Sequence, residues 1–305
     1  MDRKIIYREK VKERIDRYLK NNLKISREKI KLLLKSGLIL VENSQVEPSY
    51  ILKDGDEILI KEEYLLYRFA EDKILPEKYP VDIIYYDNDI IVVNKPAGVL
   101  THPTERIKSG TMVNFLLSIT SLPDTGNPLR PGVVHRLDRE TSGVMLFART
   151  YSAWENLVLQ FKNRIVEKEY LSIVKGAFHP LKKELEFTIS PSSKDHTKME
   201  VHYLKGKKTV NLIEVIKYID GLTLVKVKPL TGRTHQIRLA LAYSGYPVIG
   251  DVKYGVKSEL ISRVALHSHR ISFYHPITKE KHQFEAPIPD DFLEITGKVK
   301  IDNRI

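Results

Sequence analysis

Two pairs of strand-like runs, each closed by a short turn, constrain the fold of this chain more than any other feature. Val81 to Tyr86 and Ile90 to Val93 flank Asp87-Asn88-Asp89, while Val210 to Tyr218 and Leu222 to Val227 flank Asp220-Gly221, so each pair reads as a β-hairpin. Beyond residue 80, helical spacing is confined to Thr111 to Ser118, to Thr231 to Ser244, and to Ala153 to Lys162, where Trp154, Leu157, Val158 and Phe161 recur at i, i+3, i+4 and i+7. Strand runs with so few helices between them argue against a doubly wound sheet and for an α+β fold with a mixed, mostly antiparallel sheet. With neither G-x-G-x-x-G nor a P-loop, nothing points to a nucleotide cofactor.

Between these hairpins lies HRLDRETSG, His135 to Gly143, in which one acid, Asp138, sits between Arg136 and Arg139. Pro131-Gly132 precedes it and the apolar run Val144 to Ala148 follows, so it reads as a loop feeding a buried strand, a placement that catalytic residues favour. An aspartate beside arginines stays ionised and can act as nucleophile or base. Taken alone, the motif reads first as a solvated turn whose acid and arginines pair with one another.

Two further segments carry candidate chemistry. In Lys168 to Val174, strand alternation puts Lys168, Tyr170 and Ser172 on one face and Leu171 and Ile173 on the other, so Tyr170 can reach a cleft or simply pack. Thr231 to Ser244 reads as a turn at Thr231-Gly232 opening a helix with Ile237, Leu241 and Ser244 inward and Arg238 at the edge of that face. A buried arginine needs a carboxylate partner, and Asp138 is the candidate. Gly232 and Arg233, at the start of that helix, can meet a phosphate. The histidines offer no hydrolase: no serine sits in a nucleophile elbow, and His102, His235, His267 and His269 lack the H-x-x-x-H spacing of a helical metal site, so no metal is expected.

HRLDRETSG, together with NKPAGVLTHP (Asn94 to Pro103), EKEYLSIVKG (Glu167 to Gly176) and TGRTHQIRLALAYSGYPVIGDVKYG (Thr231 to Gly255), resembles the RluA/RluD-type pseudouridine synthases in both motif and motif order, over roughly residues 80 to 290. The resemblance implies a pseudouridine synthase catalytic fold. It makes Asp138 the catalytic aspartate, Tyr170 an active-site tyrosine, Arg238 its basic partner, and Arg136 the side chain that fills the space left by a flipped nucleotide. It also implies the reaction: cleavage of the glycosidic bond of a uridine in RNA, rotation of the uracil and reattachment through carbon-5, with no cofactor.

The N-terminus has a different character. Ile15, Tyr18 and Leu19 have helical spacing, and a second helix is expected from an N-cap at Ser26, with Ile30, Leu33 and Leu34 inward and a stop at Gly37; short strands follow at Leu38 to Val41 and Glu57 to Ile60. Arg27, Lys31 and Lys35 form a basic stripe able to grip phosphates. Residues 1 to 35 hold 13 Lys and Arg against 5 acids, so most of the chain's formal +11 lies there. With VENSQVEPSYILKDGDEI, this order resembles the alpha-L RNA-binding domain of a small-subunit ribosomal protein. The resulting division is 1–60 for this small α/β module, 61–80 for a charged linker with Pro76 and Pro80, 81–290 for the catalytic domain and 291–305 for a C-terminal tail.

Absence of cysteine removes thiol nucleophiles, disulfides and Cys-ligated zinc. No run approaches the ~18 apolar residues of a membrane span, so a cytoplasmic, monomeric enzyme is expected, with RNA as its partner, ribosomal RNA first and transfer RNA second. The competing classes are a catalytically silent RNA-binding or ribosome-assembly protein, which would not need Asp138, Tyr170 and Arg238 together, and a glycoside hydrolase, which would need a second carboxylate flanking the bond.

Overall fold

A computed structural model describes residues 2–9, 12–23, 27–61, 74–193, 195, 197–202 and 205–297. Ser26 and most of the expected linker lie outside them. The chain divides into two units, 1–75 with 124–131, and 76–123 with 132–305.

In the smaller unit, β1 (Arg3–Ile6), β3 (Glu57–Ile60) and β2 (Ile39–Val41) form an antiparallel sheet in that order. The helices α1 (Ile15–Leu23) and α2 (Arg27–Lys35) bury Ile15, Leu19, Ile30, Leu33 and Leu34 against Ile39, Leu52 and Ile58. Gly37, at φ +69°, takes the left-handed turn that ends α2, and the N–H of Leu38 returns to the Leu33 carbonyl. Asp16 is wholly buried and accepts hydrogen bonds from Arg27 Nε at 2.8 Å and Arg14 Nη2 at 3.1 Å. Burial would raise its pKa, but these two guanidiniums outweigh burial and hold it below the usual value. Arg27 therefore ties α2 to α1 while its side chain stays partly exposed, and Lys35 is exposed.

In the larger unit the described strands form one ten-stranded sheet: β4 (Asp82–Tyr86), β5 (Ile90–Lys95), β6 (Ser142–Ala148), β12 (Leu266–Tyr274), β7 (Glu167–Lys175), β11 (Leu222–Pro229), β10 (Lys207–Ile219), β8 (Lys182–Pro191) and β9 (Met199–Val201) in spatial order, with β13 (Lys281–Glu285) paired to β12. The β6–β12 contact is parallel and the other pairings are antiparallel, so the α+β class with a mixed, mostly antiparallel sheet holds. Both expected hairpins form, Tyr86 opposing Ile91 and Ile219 opposing Leu222. The helix α3 (Met112–Leu117) starts with a reciprocal cap between Thr111 and Asn114, and α4 (Tyr151–Lys162) packs Ala153 and Leu157 onto Val144 and Leu146 of β6.

Two expectations need correction. The third helix of this unit, α5, runs Gln236–Tyr243, several residues later than the turn at Thr231-Gly232, because Gln236 Oε1 accepts from Thr231 Oγ1 and the N–H of Arg233 and so keeps the intervening residues out of the helix. The stretch from 291 is also no tail as far as 297: α6 (Asp290–Thr296) buries Phe292 completely, and Arg263 pairs with Asp291 at 2.6 Å.

Candidate active site

A cavity of about 820 Å³ in the larger unit is lined by the 134–138 loop, the start of β7, the end of β11 and the 231–238 segment. Asp138, Tyr170, Arg238, Arg136 and Arg233 all line it. These five candidates, drawn from three separated motifs, share one concave surface.

The loop carrying Asp138 is held from two sides. The Thr101 hydroxyl accepts from the Leu137 N–H at 3.2 Å and lies 3.0 Å from the Leu137 carbonyl. Lys95, with no exposed surface, donates to the carbonyls of Pro96, Val99 and Arg139 at 2.8, 2.7 and 3.2 Å, while Arg139 Nε donates to the Gly98 carbonyl at 2.8 Å. The NKPAG turn thus serves as the bed of the HRLDR loop. Burial pushes the Lys95 ammonium down to about 7, opposed by the charges of Glu140 and Asp138. Where the loop enters β6, Gly143 adopts φ +113°, and a Cβ there would come within 2.1 Å of the Ser268 carbonyl, so only glycine lets β6 approach β12.

Asp138 does not pair with its flanking arginines. Arg139 turns to Gly98, and Arg136 is exposed at the cavity wall. The partner is Arg238, whose Nη1 lies 3.2 Å from Asp138 Oδ2. Arg238 is itself buried and held by a residue that sequence reasoning missed: Asp251, wholly buried, takes Nε at 2.7 Å and Nη2 at 2.8 Å. Asp251 also accepts from the N–H groups of Lys253 and Tyr254 at 3.0 and 3.2 Å. Burial works to raise the Asp251 pKa, but the Arg238 guanidinium outweighs it and the net shift is downward. A fork held at two corners leaves its third corner for Asp138, which fixes the direction of that contact. The signal for Asp251 was a second acid in VIGDVKYG, within a motif already singled out.

His235 also faces Asp138, Nε2 lying 3.9 Å from Oδ2, and its Nδ1 is 2.8 Å from the Tyr254 hydroxyl. His135 is structural: Nε2 accepts from the Leu146 N–H at 3.0 Å, the ring stacks on Phe161, and burial, assisted by the charge of Lys168, pushes its pKa down to about 3. Tyr170, 8% exposed on β7, faces Ser268 across β12; burial drives its pKa up to about 12, with the Ser268 hydrogen bond acting against the rise and Asp138 adding to it. In this state the phenol keeps its proton at neutral pH, which suits a stacking face better than a base. The Arg233 main chain is already engaged by Gln236, leaving its exposed side chain for any anion.

Residues 89–243 match the family described as RNA pseudouridylate synthase, and residues 13–58 match the S4 domain. The chain is 36% identical, over 96% of both chains, to an uncharacterised RNA pseudouridine synthase of Bacillus subtilis. This protein belongs to the RNA pseudouridylate synthase family. It is also 34% identical to the ribosomal large subunit pseudouridine synthase D of Neisseria meningitidis, covering 91% of this chain and 76% of that one. Among solved structures, human RNA pseudouridylate synthase domain containing 1 superposes with a TM-score of 0.56 at 26% identity, over 68% of this chain and 84% of that one. The protein is thus an RNA pseudouridine synthase of the RluA/RluD type with an N-terminal S4 domain, isomerising uridine in RNA.

Asp87, Asp89 and His275 bring ligand-type atoms within 4.8 Å of one another outside this cavity. Those atoms are engaged within the protein: Asp87 Oδ2 by Tyr85 and His275, and Asp89 Oδ1 by Thr150. The cluster stitches the β4–β5 turn to its neighbours. No described helix is long and apolar enough to cross a membrane.

Proposed function

We propose that this synthase acts on uridines of large-subunit ribosomal RNA, in the cytoplasm and as a monomer, with residues 81–290 as its catalytic domain and 1–60 as its RNA-binding module. Its similarity to enzymes named for that substrate, over nearly the whole chain and including the S4 region, supports the choice of RNA. In the reaction the C1′–N1 bond breaks, the uracil turns, a C1′–C5 bond forms, the C5 proton leaves and N1 gains a proton. Every atom exchanged belongs to one nucleotide or to water, so the chemistry calls for no redox or group-transfer cofactor.

The observation that carries the assignment of roles is the chain Asp251–Arg238–Asp138, a carboxylate aimed into the cavity by a guanidinium fixed from behind. Asp138 starts glycosidic cleavage as nucleophile or base. Arg238 orients it, Nη1 lying 3.2 Å from Oδ2. Tyr170 lies against the uracil as it detaches and rotates. The target nucleotide is buried by its neighbours in folded RNA and must be flipped out, at a cost of a few kcal/mol. Arg136, exposed at the cavity wall, is placed to occupy the vacated stack. Lys31 and Lys35 of the S4 domain and Arg233 at the cavity rim contact backbone phosphates.

The test is pseudouridine mapping of ribosomal and transfer RNA from cells with and without this gene. Loss of one or more sites in large-subunit RNA is expected. Loss confined to transfer RNA would overturn the substrate while leaving the family activity intact.

A further inference from the structure

Lys168 is a cation in the cavity that the roles assigned above leave unused. It lies on β7 two residues before Tyr170 and therefore on the same face of the strand. Its sequence neighbours are acids, yet both are committed elsewhere: Glu167 to Lys281 at 3.1 Å, Glu169 to Lys228 at 3.0 Å and Arg270 at 3.2 Å. Among the described residues Lys168 has no carboxylate partner; its Nζ lies 6.0 Å from the Phe161 ring. Burial alone lowers the ammonium to about 8, with no anion to offset the loss of water.

Gly232 supplies an independent observation. Its φ lies outside the left-handed region, so the backbone there does not require glycine. Among the described residues, its chain neighbours aside, the one atom that a Cβ at 232 would meet within 4 Å is Lys168 Nζ, at 3.8 Å. The missing side chain therefore leaves open the approach to this ammonium, from an exposed position beside Arg233. A half-buried cation without a carboxylate partner among the described residues, reached through a gap in the rim, is incomplete without a negatively charged ligand. The substrate's anionic groups are its phosphodiesters.

We propose that Lys168, reached past Gly232, binds a backbone phosphate of the RNA strand that delivers the target uridine. The site rests on the synthase reading and deepens it. With the phosphate held by β7, the flipped nucleotide is anchored on the same strand that presents Tyr170, so one rigid element sets both the backbone and the base. Lys168 is a binding and positioning group and takes no proton in the reaction.

The experiment compares full-length wild-type protein with Lys168→Met, Gly232→Ala and Gly232→Leu in salt titrations of binding to a structured RNA that the wild type modifies. Lys168→Met should weaken binding about tenfold and flatten the slope of log affinity against log salt by roughly 0.7–0.9, the loss of one phosphate contact. Gly232→Leu should do the same by covering the ammonium, while Gly232→Ala, whose Cβ makes ordinary contact, should stay within about twofold of wild type. Gly232→Leu retains the lysine at an exposed site, so it carries the test even where Lys168→Met folds poorly. Unchanged affinity and slope in Gly232→Leu and Lys168→Met would overturn the proposal and leave Lys168 as a packing residue. Unchanged affinity with a fall in the saturated rate would also overturn it, moving the lysine from the phosphate to the uracil. Pseudouridine formation by the wild type on the same RNA is scored separately, so a failure of the activity is distinguishable from a failure of the phosphate site.

Discussion

Replacing Asp251 with asparagine should damage this enzyme more than replacing many residues nearer the substrate. The side chain is wholly buried and makes two charge-assisted bonds to Arg238, at 2.7 and 2.8 Å, in a region where the arginine is itself only 6% exposed. Asparagine keeps the shape and one oxygen for the N–H groups of Lys253 and Tyr254, so the change isolates the charge. Removing one partner of a buried ion pair costs about 3–5 kcal/mol, because the other is left charged and poorly solvated. Arg238 keeps a single bond to Asp138 at 3.2 Å, which places the expected loss near the lower end, about 3 kcal/mol. For a unit of this size that lowers the melting temperature by roughly 6–12 °C.

The catalytic consequence follows from the same geometry, since an Arg238 freed from its anchor no longer presents Nη1 to Asp138 in one direction. Single-turnover pseudouridine formation should fall by an order of magnitude or more, while RNA affinity holds. Thermal melts and single-turnover assays on Asp251→Asn, Arg238→Met and the double variant provide the test. The double variant should lose much less stability than the two single losses added together, with a coupling above ~1.5 kcal/mol. A melting point within 1 °C of wild type for Asp251→Asn, or additivity within ~0.5 kcal/mol, would refute the reasoning. Because the pKa of Asp251 lies below its ordinary value in the fold, its contribution is present above the unfolded carboxylate range and is lost as pH falls through the folded value.

Three further outcomes are expected. Tyr170→Phe, which keeps the stacking ring, should retain RNA binding and a near-normal single-turnover rate; a stall after glycosidic cleavage would show that the hydroxyl serves as a base. His135 and His267 are both neutral in the fold, each pushed down to about 3 by burial, so both take up protons more readily when unfolded. Stability should therefore decline as pH falls from about 6.5, each such histidine contributing roughly 1.4 kcal/mol per pH unit, and His135→Gln should lower the slope by about that amount in pH-dependent urea melts; an unaltered slope would mean the ring is already charged. Gly143→Ala should fail to fold normally or melt far lower, because its Cβ would lie 2.1 Å from the Ser268 carbonyl; a soluble variant with an unchanged melting point would mean that β6 and β12 can separate without cost.

What could be read from the chain and what could not divide along physical lines. Hairpins with acidic or glycine turns between apolar runs, such as β4–β5 and β10–β11, were legible because turn chemistry and strand register are local. β1 was not, being four residues with mostly exposed charged or aliphatic side chains, RKII, held by pairing with β3 and by Ile5 against the core. β8 escaped for the same reason: KKELEFTISP carries charges at positions that only the neighbouring β10 makes strand-like. The start of α6 is signalled by Pro289 followed by Asp290 and Asp291, an ordinary helix opening whose short length and nearness to the chain's end hide it among tail-like residues.

At the site, Asp138, Tyr170 and Arg238 were each visible as chemistry-bearing residues in motifs. Their convergence on one cavity is a property of the sheet order, which places β7 between β12 and β11 and brings the 135–141 loop to the same side as α5. The two arginines flanking Asp138 drew the pairing argument toward sequence neighbours. The partner, 100 residues away, follows from the need of a buried arginine for a carboxylate; the second acid holding it does not, because an arginine satisfied by one carboxylate leaves no gap in the sequence.

The account stands most directly on Asp138. Purified wild-type protein and Asp138→Asn, incubated with unmodified large-subunit ribosomal RNA in EDTA and without added cofactor, are to be compared by nucleoside analysis for pseudouridine and by RNA binding. The account predicts pseudouridine from the wild type and none above the enzyme-free control from Asp138→Asn, at RNA affinities within about twofold. Pseudouridine formed by Asp138→Asn would contradict it.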